Sequence, residues 1–280
     1  MFTTLESQNY MMLSMHHALY DGDAMVLLLE GLLSAYNREA LPSRMQMTEA
    51  LSSAFFSFEH KDDPLEFWEK TLQPFANPSA LPWPTLLSTS IASRKDSGFI
   101  TNSFSIDRAH ISTLASELNV SASHFLQAGW ATVMSAYLGT SKVIFGETRS
   151  ARLGSVALET SIAPLIMTIP IAVELTSEIT VRRLVQRLGE LSAQSMGHNL
   201  VSLQHVRRVL KTPMGQPVFP TIFVMNAGNG SAESEILSTS DLWAESKEIL
   251  DLGVEHPVAV NVYVGETSVV VKVSVNSQLA

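Results

Sequence analysis

The sequence predicts an α/β protein, and three observations point that way. Short apolar or alternating runs of strand type are interleaved with segments whose apolar residues recur at helical spacing. The segment Ala259–Val264, the turn Gly265-Glu266-Thr267 and the segment Ser268–Val275 read as a hairpin near the C-terminus. With 280 residues, 46% of them apolar and 16% charged, the chain can form a full core, and the length suits one large domain or roughly two ordinary ones.

Each element has a local signal. The run Tyr10-Met11-Met12-Leu13-Ser14-Met15 closes a strand over residues 9–15 that is apolar on both faces. A helix follows, with Asp23 as its expected cap and Met25, Leu28, Leu29, Leu32 and Leu33 on its apolar side. Residues 48–60 and 64–73 suggest two more helices, the second opening at Pro64, where a missing N–H costs nothing. Residues 74–97 are rich in Pro, Ser and Thr and read as a linker. Beyond it, Phe99–Ile106 alternates as a strand, and Asp107 caps a helix to about Leu118. Ser121 caps a second helix to about Leu138, followed by a strand over Val143–Glu147. Residues 163–175 suggest a loop and a strand, 178–196 an amphipathic helix, and Thr221–Met225 a central strand. An apolar strand needs partners for its backbone groups, so the strand at 9–15 is expected to pair with the C-terminal half, with another chain or with missing sequence ahead of Met1.

Composition excludes several chemistries. Without Cys there is no disulfide, thiolate zinc site, iron–sulfur cluster or thiol nucleophile. A formal charge of −9 argues against a nucleic-acid partner. The apolar runs at 25–33 and 162–173 are broken by Glu30 and Gly31 and by Pro164 and Pro170. They fall short of the roughly 20 residues of a membrane span, and the first ten residues carry no Lys or Arg. No membrane partner and a cytoplasmic location are the resulting expectations.

The segment that carries chemistry is His16-His17-Ala18-Leu19-Tyr20-Asp21-Gly22, between a strand and a helix. A loop in that position holds an imidazole at the rim of a cavity, where it can take a proton from an attacking amine or hydroxyl. Asp21 can fix the loop by pairing with a cation, and Gly22 allows the turn into the helix. Adjacent histidines point in different directions and rarely share an ion, and no cluster of further ligands is evident, so no metal site is expected.

This segment resembles the HHxxxDG signature of the condensation domains of nonribosomal peptide synthetases, which are similar in fold to chloramphenicol acetyltransferase. The resemblance extends along the chain in order. Trp130 to Tyr137 and Val143-Ile144-Phe145-Gly146-Glu147-Thr148-Arg149-Ser150-Ala151-Arg152 resemble a family helix and the motif that follows it. Ile162 to Pro170, His198 to Leu210 and Val218-Phe219-Pro220-Thr221-Ile222-Phe223-Val224 resemble later ones. Phe67-Trp68 and the Phe-Gly-Glu form lean toward fungal synthetases that assemble siderophores.

The resemblance implies a two-lobed fold with mixed sheets and an incomplete N-terminal lobe. Residues 1–95 would be the partial N-terminal lobe and 96–280 the C-terminal one. It implies amide-bond formation between an acyl or peptidyl thioester and an aminoacyl thioester, each carried on the phosphopantetheine of a carrier protein, with no cofactor bound directly. Carrier and adenylation domains are the implied partners. By motif position His17 is the catalytic residue, as general base or as the group that orients the amine. His16 shapes the loop, Asp21 is structural, Arg152 is its expected ion-pair partner, and Gly22 places a helix-start amide near the reaction. Because the chain begins shortly before the motif, weak or absent activity on its own is expected. Four departures bear on the same point: Ala151 and Ala163 replace family glycines, Met167 an Asn and Ala172 an Arg. Two other readings stay open: an acyl-CoA-dependent transferase using an HxxxD loop, and a non-catalytic remnant that binds a carrier protein. Arg182, Arg183, Arg187, Arg207, Arg208 and Lys211 form helical basic faces, readable as a carrier-docking surface or as ordinary solvated charge.

Overall fold

The computed structural model describes residues 2–5, 8–11, 13–56, 64–76, 99–152, 155–198, 201–227 and 256–276. The expected linker therefore falls almost wholly outside the described residues. The elements are β1 (Phe2–Leu5), β2 (Gln8–Met11), α1 (Gly22–Tyr36), α2 (Met47–Phe56), α3 (Pro64–Leu72), β3 (Phe99–Asp107), α4 (Arg108–Leu118) and α5 (Ala122–Leu138). They continue as β4 (Lys142–Ser150), α6 (Val156–Glu159), β5 (Ile166–Glu174), α7 (Val181–Ser195), α8 (Leu203–Leu210), β6 (Thr221–Ala227), β7 (Val258–Val264) and β8 (Ser268–Asn276). The protein is thus α/β, as its patterning predicts.

Two compact units are present, neither a single stretch of chain. The first contains the described residues within 1–57 and 150–166, and the second contains the remainder.

In the first unit, β1 and β2 form an antiparallel ribbon with Phe2 opposite Met11 and Leu5 opposite Gln8. This corrects the reading of residues 9–15 as one strand. Pairing ends at Met11, Leu13 and Ser14 are exposed without regular structure, and the partner is none of the three expected sources but residues 2–5 of this chain. The apolar run continues past the point where the ribbon stops, and strand propensity cannot mark where a partner ends. Helix α1 also begins earlier than expected. Asp21, not Asp23, is its N-cap, accepting a hydrogen bond from Ala24 N at 2.8 Å. Gly22 and Asp23 then occupy the first two helical positions, and a cap oxygen reaches the amide two or three residues on. Ala50 and Ala54 of α2 pack with Leu158, Ala163 and Leu165 in a small core.

The second unit is built on a six-stranded sheet in the order β3-β8-β7-β6-β4-β5. β3, β8 and β7 pair antiparallel, whereas β7 with β6 and β6 with β4 are parallel, so the sheet is mixed. The expected hairpin is β7–β8, closed by Gly265 N donating to Ser268 O at 2.9 Å. Caps fall where the side chains direct them. Pro64 opens α3, Asp107 caps α4, and Ser121 caps α5 in a reciprocal box with His124. Phe145, Ile169, Val185, Leu188, Phe223, Val262 and Trp68 lie in one large core, with α5 packed on α7 and α3 on α8.

Candidate active site

The chemistry-bearing loop is built around a carboxylate removed from solvent. Asp21 is wholly buried, and both its oxygens are engaged. Oδ1 accepts from Ala24 N and from Arg152 Nη2, each at 2.8 Å, and Oδ2 accepts from Leu165 N at 2.7 Å. One side chain therefore caps α1, pairs with a guanidinium and anchors a distant backbone amide.

Arg152 completes the arrangement. Its Nη1 donates to the carbonyls of Leu158 and Ser161, and Nη2 to that of Ala163 as well as to Asp21, all at 2.8 Å. Nε lies 3.4 Å from Oδ2 of the exposed Asp23. Only a planar guanidinium can meet acceptors in so many in-plane directions; an ammonium cannot. Desolvating two charges is offset only when their remaining hydrogen-bonding capacity is filled, and here it nearly is. Arg152 thus ties the 155–163 segment to the loop that precedes α1.

The segment between these residues is a tight turn. His17–Leu19 form one 3₁₀ turn, and Leu19 N donates to His16 O at 2.9 Å. The exposed His16 ring folds back, its Nδ1 accepting from Ala18 N at 3.1 Å, so Nδ1 carries no proton. His17 is the first residue of the turn, and its side chain lies outside what the structure describes. Gly22 opens α1, with open space where a Cβ would be.

The structure therefore brings His16, the His17 backbone, Asp21, Gly22 and Arg152 into one unit. It also engages groups that carry no sequence signal: the Leu165 amide and the carbonyls of Leu158, Ser161 and Ala163. Backbone groups are identical at every residue, so no motif could have revealed them. Two departures from the family pattern fit here. Ala163 is buried in the small core while its carbonyl accepts from Arg152. Ala151 packs against the same core, its N donating to Leu165 O at 2.7 Å. Met167 and Ala172 pack against the large core of the second unit.

In the second unit, Glu147 and Arg149 of β4 form a separate buried network. Gln127 Nε2 donates to Glu147 Oε1 at 2.6 Å, and Arg149 Nε to Glu147 Oε2 at 2.8 Å. Arg149 also reaches Ser195 Oγ at 3.0 Å and Ser192 Oγ at 3.2 Å. This network locks α5 and α7 to the strand. Burial, then the nearby Arg149 charge, pulls the pKa of His124 below the usual imidazole value. Among the described residues no group of three or more His, Asp or Glu could hold a metal ion, and no helix is long and apolar enough to cross a membrane.

The condensation-domain family model matches residues 1–278. The chain belongs to the condensation-domain family. Nonribosomal peptide synthetase fso1 of Omphalotus olearius is 40% identical over 275 residues, covering 98% of this chain and 6% of that protein. Nonribosomal peptide synthetase sidC of Aspergillus fumigatus is 30% identical over 263 residues, 91% of this chain and 5% of its own length. The ferrichrome siderophore peptide synthetase of Mycosarcoma maydis is 25% identical over 255 residues, 88% of this chain and 6% of that one. The condensation domain thus spans a small part of the curated relatives it matches. Among solved structures, a four-domain nonribosomal peptide synthetase superposes with a TM-score of 0.67 at 16% identity, covering 95% of this chain and 21% of that one. The first condensation domain of the calcium-dependent antibiotic synthetase superposes at 0.61 with 14% identity, covering 95% and 58%. These likenesses establish the condensation-domain fold.

Proposed function

We propose that this condensation domain forms an amide bond between two carrier-bound substrates. The amine of an aminoacyl thioester attacks the carbonyl carbon of an upstream acyl or peptidyl thioester. A C–N bond forms, the C–S bond breaks, and the proton lost by the amine ends on the departing phosphopantetheine thiol. The observation that carries this reading is the HHxxxDG loop, held by the buried Asp21–Arg152 clasp. A loop fixed by a fully engaged carboxylate keeps its histidines in one register, which a proton-transfer or amine-orienting group requires.

His17 is the catalytic group by its place in the motif, accepting the amine proton or holding the amine in line with the thioester. Asp21 and Arg152 are positioning residues, His16 shapes the turn by bonding back to Ala18, and the Gly22 amide opens the helix beside it. The substrates arrive on phosphopantetheine arms, so no cofactor is held by the domain itself. Carrier and adenylation domains of a synthetase are its working partners, and the ferrichrome siderophore peptide synthetase among the relatives favours a product of that class.

The test is dipeptidyl transfer between loaded carrier proteins within a synthetase module containing this chain. His17→Ala should abolish transfer while leaving the thermal melting curve in place. An unchanged rate would remove His17 from its role. Turnover of free CoA thioesters with a small amine or alcohol, and none with loaded carriers, would replace this reading with an acyl-CoA-dependent transferase.

A further inference from the structure

Away from the histidine loop, in the second unit, a pocket of about 160 Å³ is lined by Leu203, Gln204, Arg207, Pro217, Val218 and His256. None of its described polar groups is acidic: Arg207 contributes a guanidinium, Gln204 an amide and His256 an imidazole. That is unexpected in a chain of formal charge −9.

Two contacts fix the polar groups in place. Arg207 Nη1 donates to Pro213 O at 2.6 Å, which anchors one corner of the guanidinium. Arg207 makes no ion pair with a carboxylate among the described residues. His256 Nδ1 lies 3.2 Å from Phe219 O. A carbonyl can only accept, so Nδ1 carries a proton; Nε2 then accepts in the neutral ring and donates only in the imidazolium, the form in which His256 would hold an anion. Leu203 and Gln204 belong to the first turn of α8, the positive end of its dipole. Leu203, Pro217 and Val218 supply apolar walls that lower the local dielectric and strengthen any charge–charge contact.

We propose that this pocket binds a phosphate group. Its polar side chains come from two separate parts of the fold: Gln204 and Arg207 from α8, and His256 from the residues just before β7. A planar carboxylate is served by one guanidinium alone, whereas a tetrahedral anion with three terminal oxygens uses several donors arriving from different directions. Two sources share this chemistry: a phosphate free in solution, alone or on a nucleotide, and the phosphate of a phosphopantetheine arm. The proposal does not depend on the amide-forming reaction. Its test reads binding alone.

The experiment titrates this chain with inorganic phosphate, AMP and 4′-phosphopantetheine in turn, against chloride at matched ionic strength. Binding is read by calorimetry and by the ring signals of His256 in NMR. Saturable movement of the His256 signals by phosphate and not by chloride is the expected result. Stronger binding of phosphopantetheine than of phosphate or AMP assigns the pocket to a carrier arm; equal or weaker binding assigns it to free phosphates. Arg207→Gln should weaken binding about tenfold or more, the worth of a charge-assisted hydrogen bond. His256→Asn preserves a donor at the Nδ1 position and removes Nε2, so it should weaken binding with an unchanged melting curve. Arg207→Lys, which keeps the charge and loses the fork, serves where Arg207→Gln does not fold. His256 signals that respond to none of the three compounds, or that respond equally in the Arg207 variants, would overturn the proposal.

Discussion

Asp21 shows how much a single buried side chain decides. Removing one partner of a buried, hydrogen-bonded ion pair leaves the other charge stranded, at a cost of about 3–5 kcal/mol. Arg152→Ala should therefore destabilise the first unit by that amount, and Arg152→Lys should recover only part of it, because one ammonium cannot serve Asp21 and three carbonyls together. Urea unfolding followed by probes in α1 measures both. A loss under about 1 kcal/mol in Arg152→Ala would mean that the clasp contributes little. His124 makes a second residue-scale prediction. Its Nδ1 accepts from Ser121 N at 3.1 Å and must be unprotonated to do so. Its folded pKa lies below the ordinary value of 6.5, so the unfolded chain binds the proton more readily. This stabilisation is complete above pH 6.5 and is lost as pH falls through 6.5 toward the folded value. His124→Gln keeps a box-forming side chain without a titrating group. Its stability should fall less than the wild type's between pH 7 and pH 5. Parallel curves for the two proteins would contradict the assignment.

At the scale of elements, β4 carries a tight steric constraint in the large core. Gly146 sits in mid-strand, where glycine is otherwise unfavourable, and the reason is space. A Cβ at Gly146 would lie 2.7 Å from Phe219 Cδ2 and 2.9 Å from Thr168 Cγ2. Phe219 is fully buried and cannot swing away. Gly146→Ala should cost about 1–3 kcal/mol through overpacking. Pairing it with Phe219→Leu should return part of that loss, a non-additivity that a double-mutant cycle of denaturation midpoints would detect. Capping explains why so many element starts were legible. Asp107 and Ser121 accept from amides two residues on, and Pro64 suits the first turn through its own fixed φ and missing N–H, so their evidence is complete within a short window. The first helix was misplaced by two residues because Asp21 and Asp23 are both competent caps locally. Arg152 lies near both; what separates them is that Asp21 is buried and also accepts from the Leu165 amide, well over a hundred residues further along the chain, whereas Asp23 is exposed.

At the scale of the whole molecule, the two units differ in what stabilises them. The second unit's core gathers bulky side chains such as Trp68, Phe145, Phe219 and Phe223. The first unit's buried cluster consists of three alanines and two leucines, supported by the Asp21–Arg152 clasp. Local stability follows buried apolar contact, so α2 amides should exchange with solvent faster than those of β7 and β8. Native-state hydrogen exchange reads this directly, and equal protection would show that the chain opens as one cooperative body.

The sequence by itself determined the class of elements, most of their starts, the C-terminal hairpin and the histidine loop with Asp21, because side-chain periodicity, caps and a seven-residue motif are local; Arg152 was named only through the family resemblance. Only the tertiary structure decided which strand β2 pairs with, which aspartate caps α1, and which carbonyls surround Arg152. It alone also brought Arg207 and His256 to one pocket. These depend on backbone groups without identity and on residues remote in sequence, whose meeting is settled by packing and by the need to satisfy every buried charge.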